Sequence, residues 1–114
     1  MQHNQEAQFS ISACAQACLN CYMACTYCAH QCLRHEPLEM MRECITRCLD
    51  CSDLCQICAG FMQRESSLAQ EICKVCAMAC ERCVEECSRH QHEHCQRCAD
   101  ACRQYAEECR KMAA

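Results

Sequence analysis

Of 114 residues, twenty are cysteine while one is glycine and one proline, which excludes turn-rich architectures such as knottins, sandwiches and zinc ribbons and leaves long helices. The net charge of −4, with both signs interspersed, offers no basic patch for nucleic acid, and no apolar run reaches the length of a membrane span. Met1 to Phe9 shows no basic n-region, apolar h-region or twin arginine, so no export signal is visible and the expected compartment is the reducing cytosol, where dense thiols read as metal-binding before disulfide.

The cysteines fall in four runs spaced alternately three and four apart. The first, Cys14, Cys18, Cys21, Cys25, Cys28 and Cys32, predicts a helix over about 9–34. At about 100° per residue its thiols share an arc of about 80°, the seam of a coiled coil or bundle that Leu or Ile normally fills. This seam spans about 27 Å at 1.5 Å per residue. Pro37 ends that helix and suits the first turn of the next, predicted over 37–63 and carrying Cys44, Cys48, Cys51, Cys55 and Cys58. A third helix over 67–89 carries Cys73, Cys76, Cys80, Cys83 and Cys87, with Ser66 or Ser67 as N-cap and Gln70 or Glu71 placed for a capping box. The fourth, over 93–112, carries Cys95, Cys98, Cys102 and Cys109, with Tyr105 where the alternation sets another cysteine. Short connections imply an all-α, antiparallel up-down-up-down four-helix bundle, a single domain over 1–114 with a cysteine-lined core.

One or two seam cysteines would be ordinary small hydrophobes. Four facing stripes leave too little side-chain volume for normal packing, so something else is expected to fill the space. Bridges within a run are disfavoured, because Cβ atoms at i and i+4 lie about 5–6 Å apart and a disulfide needs about 3.5–4.5 Å. Five tetrahedral zinc–thiolate sites would bury a charge of about −10. Cu(I) is soft and can be held linearly by two sulfurs; with each sulfur bridging two ions, about one ion per cysteine leaves the core neutral. Zinc-knuckle and iron–sulfur readings need the chain to curl around the metal, whereas each C-x2-C here lies within helical periodicity.

The repeats CLNCYMAC, CLDCSDLC, CKVCAMACERC and CQRCADAC resemble the bacterial copper storage proteins, and the resemblance runs from Cys14 to Cys109. It implies a bundle filled with Cu(I) along its axis, a homotetramer, and the cytosolic rather than the exported type. A copper chaperone or chelator as loading partner goes with that reading. Tyr105 departs from the pattern and implies a lower ion count in its layer. The alternatives are a zinc or general heavy-metal sink on the same fold, and a thiol redox protein. An oxidoreductase usually sets one reactive pair at a helix N-terminus; here the pair recurs through helix interiors and no site is singled out, so no enzyme is expected.

Alternating helix directions bring the end of helix 1, the start of helix 2, the end of helix 3 and the start of helix 4 to one mouth. His35, Met40, Met41, His90, His92 and His94 fall there as candidate entry ligands, weaker than thiolate and suited to handover. At the other end Met62, Met112, Ile11 and Leu68 predict an apolar plug. On helix 2, Leu38, Ile45 and Leu49 on one flank and Leu54, Ile57 and Phe61 on the other are expected to hold the apo bundle together. Phe9, Met23 and Tyr27 on the back of helix 1 suggest contact between protomers, while Arg97, Asp100, Arg103 and Glu107 should face water.

Overall fold

The computed structural model describes residues 12–113. Four α-helices follow in order: α1 (Ala13–Cys32), α2 (Arg42–Gln63), α3 (Ala69–Cys87) and α4 (Glu93–Ala113), with a 3-10 turn at Leu38–Met41 before α2. α1 packs on α2 and α4, and α3 packs on the same two. The result is the expected antiparallel bundle, because each short connection returns the chain along its predecessor.

Local chemistry sets the ends. Ser12 is extended at φ −64° and its side chain accepts from the Ala15 N–H at 3.1 Å, an N-cap that starts α1. The helix start expected near Phe9 lies outside the described residues, as do Phe9 and Ile11 themselves. Pro37 stays extended and opens only the 3-10 turn, so α2 begins at Arg42. At its far end α2 closes in a Schellman turn, with Ser66 N–H on the Phe61 carbonyl at 2.9 Å and Glu65 N–H on that of Met62 at 3.0 Å. That turn needs a left-handed residue, and Glu65 takes the role at φ 53°. It uses up the segment in which Ser66 or Ser67 was expected to cap α3. Leu68 is the N-cap and has no side-chain capping bond, while the Ser66 Oγ accepts from the Leu68 N–H.

Cysteine dominates the core. Cys14 is 7% exposed and the other nineteen cysteines at most 1%. Small residues such as Ala15, Ala29, Ala77 and Ala99 fill between them, and Tyr105 and Met41 are the large side chains buried there. Around this axis Tyr22, Ile45, Leu54, Ile72 and Val84 pack half-buried. The flanks of α2 therefore contribute through Ile45 and Leu54, whereas Leu49 and Ile57 are exposed because they lie farther round the helix from the seam, and Leu38 is exposed in the 3-10 turn before α2 rather than on it. The apolar plug is absent among the described residues: Met62 packs on the core, but Leu68 and Met112 are exposed. Since α3 starts only at Ala69, Leu68 sits outside the register a plug requires. Met23 and Tyr27 are exposed as well, and so are Arg97, Asp100, Arg103 and Glu107 on α4. No described helix is long and apolar enough to cross a membrane.

Candidate metal centre

Helical periodicity sets the thiols in tiers, because each step of three or four residues advances one level along every helix at once. Nearest the histidine-bearing end stand Cys28, Cys44, Cys87 and Cys95, with Cys32 just above. There Sγ–Sγ separations are 3.6 Å for Cys44–Cys87, 3.8 Å for Cys28–Cys95 and 3.7 Å for Cys32–Cys44. Next come Cys25, Cys48, Cys83 and Cys98, linked at 3.6 Å for Cys98–Cys25 and 3.7 Å for Cys48–Cys98. Below them Cys21, Cys51, Cys80 and Cys102 close a ring with Cys21–Cys51 at 3.6 Å, Cys51–Cys80 at 3.5 Å and Cys21–Cys102 at 3.5 Å. Tiers also join vertically, at 3.5 Å for Cys25–Cys102 and 3.8 Å for Cys83–Cys87. The fourth tier holds Cys18, Cys55 and Cys76 around Tyr105. The last holds Cys14, Cys58, Cys73 and Cys109, with Cys58–Cys73 at 3.7 Å.

All twenty cysteines are free thiols, and contacts of this length far exceed the roughly 2.05 Å of an S–S bond. Several sets bring four donor atoms within 4.8 Å of one another, among them Cys21, Cys25, Cys51 and Cys102, and Cys28, Cys48, Cys87 and Cys98. Burial raises the thiols at the far end: Cys14 is pushed up to about 11 and Cys73 to about 12, in each case by desolvation first and the neighbouring Cys58 second. Among the described residues no lysine or arginine is buried in the core, and Glu86 is the one buried carboxylate. No described residue in the core would offset the charge of many zinc tetrathiolates, whereas a monovalent soft ion replacing each proton changes no net charge.

At the mouth the candidates separate. His94 is half-buried, with Nδ1 3.2 Å from the Cys28 Sγ and 3.5 Å from that of Cys95. Its Nε2 meets the His35 Nε2 at 2.8 Å, and His35 stacks on His92 with ring centroids 3.7 Å apart. Burial, then the facing His35 and His92, hold His94 below its ordinary value, which keeps a ring nitrogen available as donor to a soft ion. Cys28, Cys32, His94 and Cys95 have their donor atoms within 4.8 Å of one another, so the imidazole chain leads from the surface to the first thiols. His90 is not part of it: its Nε2 lies 3.0 Å from the Glu86 carboxylate. Met41 is buried in the core at this end and Met40 is exposed. Loop position placed all six together, with His90 three residues past Cys87 and Met41 three before Cys44 also continuing the alternation; the pairing of His90 with an acidic residue one turn earlier was the available signal that it is otherwise engaged.

Sequence comparison gives the same direction. A model of the family described as Csp, copper storage protein, matches residues 7–114. The uncharacterized cysteine-rich protein YhjQ of Bacillus subtilis (strain 168) is 43% identical over 102 residues, covering 90% of this chain and 94% of its own. The Cu(I)-bound copper storage protein BsCsp3 superposes with a TM-score of 0.86 at 43% identity, over 90% of this chain and 96% of that one. A cytosolic copper storage protein from Streptomyces lividans, in a structure with five coppers, gives a TM-score of 0.84 at 35% identity, over 88% of each chain.

Proposed function

We propose that this chain, which belongs to the copper storage protein family, stores Cu(I) in the cytosol on the thiolates of its twenty core cysteines at about one ion per cysteine. The observation that carries the reading is the buried column of twenty free thiols, with no lysine or arginine buried beside it among the described residues. Each incoming ion displaces a thiol proton, adjacent thiolates share ions, and the low-dielectric interior gains no net charge. Displacement ties uptake to pH, since about one proton leaves per ion and affinity falls about tenfold per unit of acidification.

His92, His35 and His94 are the proposed entry ligands, handing ions to Cys28, Cys32 and Cys95 from a copper chaperone or small chelator. Imidazole binds Cu(I) less tightly than thiolate, so passage inward is downhill. Exposed apolar side chains on the helix backs, Met23 and Tyr27 on α1 and Leu49 and Ile57 on α2, support assembly into a homotetramer. The twenty thiols are enclosed, and none is presented as an exposed reactive pair, which favours storage over thiol exchange.

The deciding experiment is an anaerobic titration of the fully reduced protein with Cu(I), followed by thiolate charge-transfer absorption and competition with a Cu(I) chelator. Tight binding to near one ion per cysteine is expected. Saturation at a few ions, or stronger retention of Zn(II) at about one per four thiols, refutes the assignment.

A further inference from the structure

Tyr105 is fully buried in the column, at the place on α4 where the alternation would set a cysteine. On its histidine side the thiols run in sulfur–sulfur contact from Cys21 and Cys102 through Cys25, Cys98 and Cys48 to Cys87 at 3.5 to 3.8 Å. Level with the ring that pattern changes. Cys18 donates to the Cys55 carbonyl at 3.0 Å and Cys76 to the Leu54 carbonyl at 3.3 Å. The Tyr105 hydroxyl, facing Cys18 and Cys58, has no hydrogen-bond partner. Beyond the ring sulfurs meet again, Cys58 and Cys73 at 3.7 Å.

We propose that Tyr105 divides the stored Cu(I) into two pools that exchange slowly, a large one open to the histidine mouth and a small one on Cys14, Cys18, Cys58, Cys73, Cys76 and Cys109. The inference rests on the storage reading. Ions move along such a column by passing between neighbouring sulfurs, and a phenol supplies a bulky ring and a hard neutral oxygen in place of a soft donor. Passage must skirt the ring beside Cys55, whose sulfur lies within 4.8 Å of those of Cys21, Cys51 and Cys80. The small pool has six of the twenty thiols, or about 30% of the copper at one ion per thiol. Its own way out is the end at Cys14, at 7% the most exposed cysteine.

The test follows removal of Cu(I) from the fully loaded protein by excess chelator without oxygen. Two phases are expected, in amplitudes of roughly 70 to 30, the first slowed by His94→Ala and the second not. Tyr105→Cys should merge the phases and raise capacity by about one ion, while Tyr105→Phe, which keeps the ring, should retain both. Anomalous diffraction from half-loaded wild-type crystals gives a second reading that needs no variant: copper concentrated on one side of Tyr105 supports the division. Even filling on both sides, or a single phase at full capacity, overturns the division alone. Failure to take up Cu(I) overturns the storage reading beneath it.

Discussion

Raising the pH of the reduced, metal-free protein from 7 to 10 should lower its stability over a range in which an ordinary helical bundle would not respond. Cys14 and Cys73 keep their protons up to about 11 and about 12 in the folded state, against 9.0 for an unperturbed thiol. Between those values the folded chain binds more protons than the unfolded one. The stability these two groups contribute is therefore complete below pH 9 and is lost as pH rises through the folded values. Solvent screening at this end of the column cuts the full cost of about 1.4 kcal/mol per group at pH 10, so the pair removes on the order of 1 kcal/mol from a total typically of about 5–15 kcal/mol. For a chain of this size that lowers Tm by about 4 °C. Thermal melts followed by far-UV circular dichroism, under argon with a non-thiol reductant, check this at pH 7, 9 and 10. The copper-loaded protein should show no such fall, because its thiolates have already lost their protons. An apo Tm that stays level from pH 7 to 10 would refute the claim that burial governs these thiols.

Four substitutions probe other parts of the structure. His35→Ala and His94→Ala should slow Cu(I) loading several-fold at unchanged capacity, whereas His90→Ala, whose ring is held by Glu86, should leave the rate alone; stopped-flow absorption reads all three, and equal rates would remove the entry role. Tyr105→Phe deletes a buried hydroxyl without a partner and should stabilise the apo protein by about 1–2 kcal/mol in urea unfolding; a loss of stability would mean that the hydroxyl is satisfied in solution.

The seam was legible because one residue type marked it. A thiol every three or four residues gives helix, face and length together, and four such runs joined by short links give the bundle. The helix end at Gln63 and the reversal after it were legible, but the left-handed residue of the turn was not, since such a position usually advertises itself as glycine and here Glu65 occupies it. The apolar positions were legible only in part. Ile45 and Leu49 are four apart on one helix, yet the first packs on the core and the second is exposed, because Leu49 lies farther round α2 from the cysteine seam, a difference of angle that grouping both on one flank did not resolve. Alternating helix direction brings His35, His92 and His94 to one end of the bundle, but the division between His94, in contact with Cys28, and His90, in contact with Glu86, depends on how the loop after α3 folds back.

These features bear on how storage and folding are linked. A bundle of this length ordinarily buries leucine and isoleucine along its axis; this one buries cysteine and alanine, with its larger aliphatics half-buried or outside. The axis is thus short of the dispersion contacts and apolar area that hold a bundle together. Cu(I) supplies both bonds and volume there, so the cargo completes the core as it is taken up. By linkage, anything bound by the folded form and not by the unfolded one raises stability in proportion to the logarithm of its free concentration. The loaded protein is accordingly the more stable one. Withdrawal of copper removes core material, and it is least disruptive where the column ends in weaker ligands close to water. His94 stands at that place, between Cys28 and Cys95 within and His35 and His92 without.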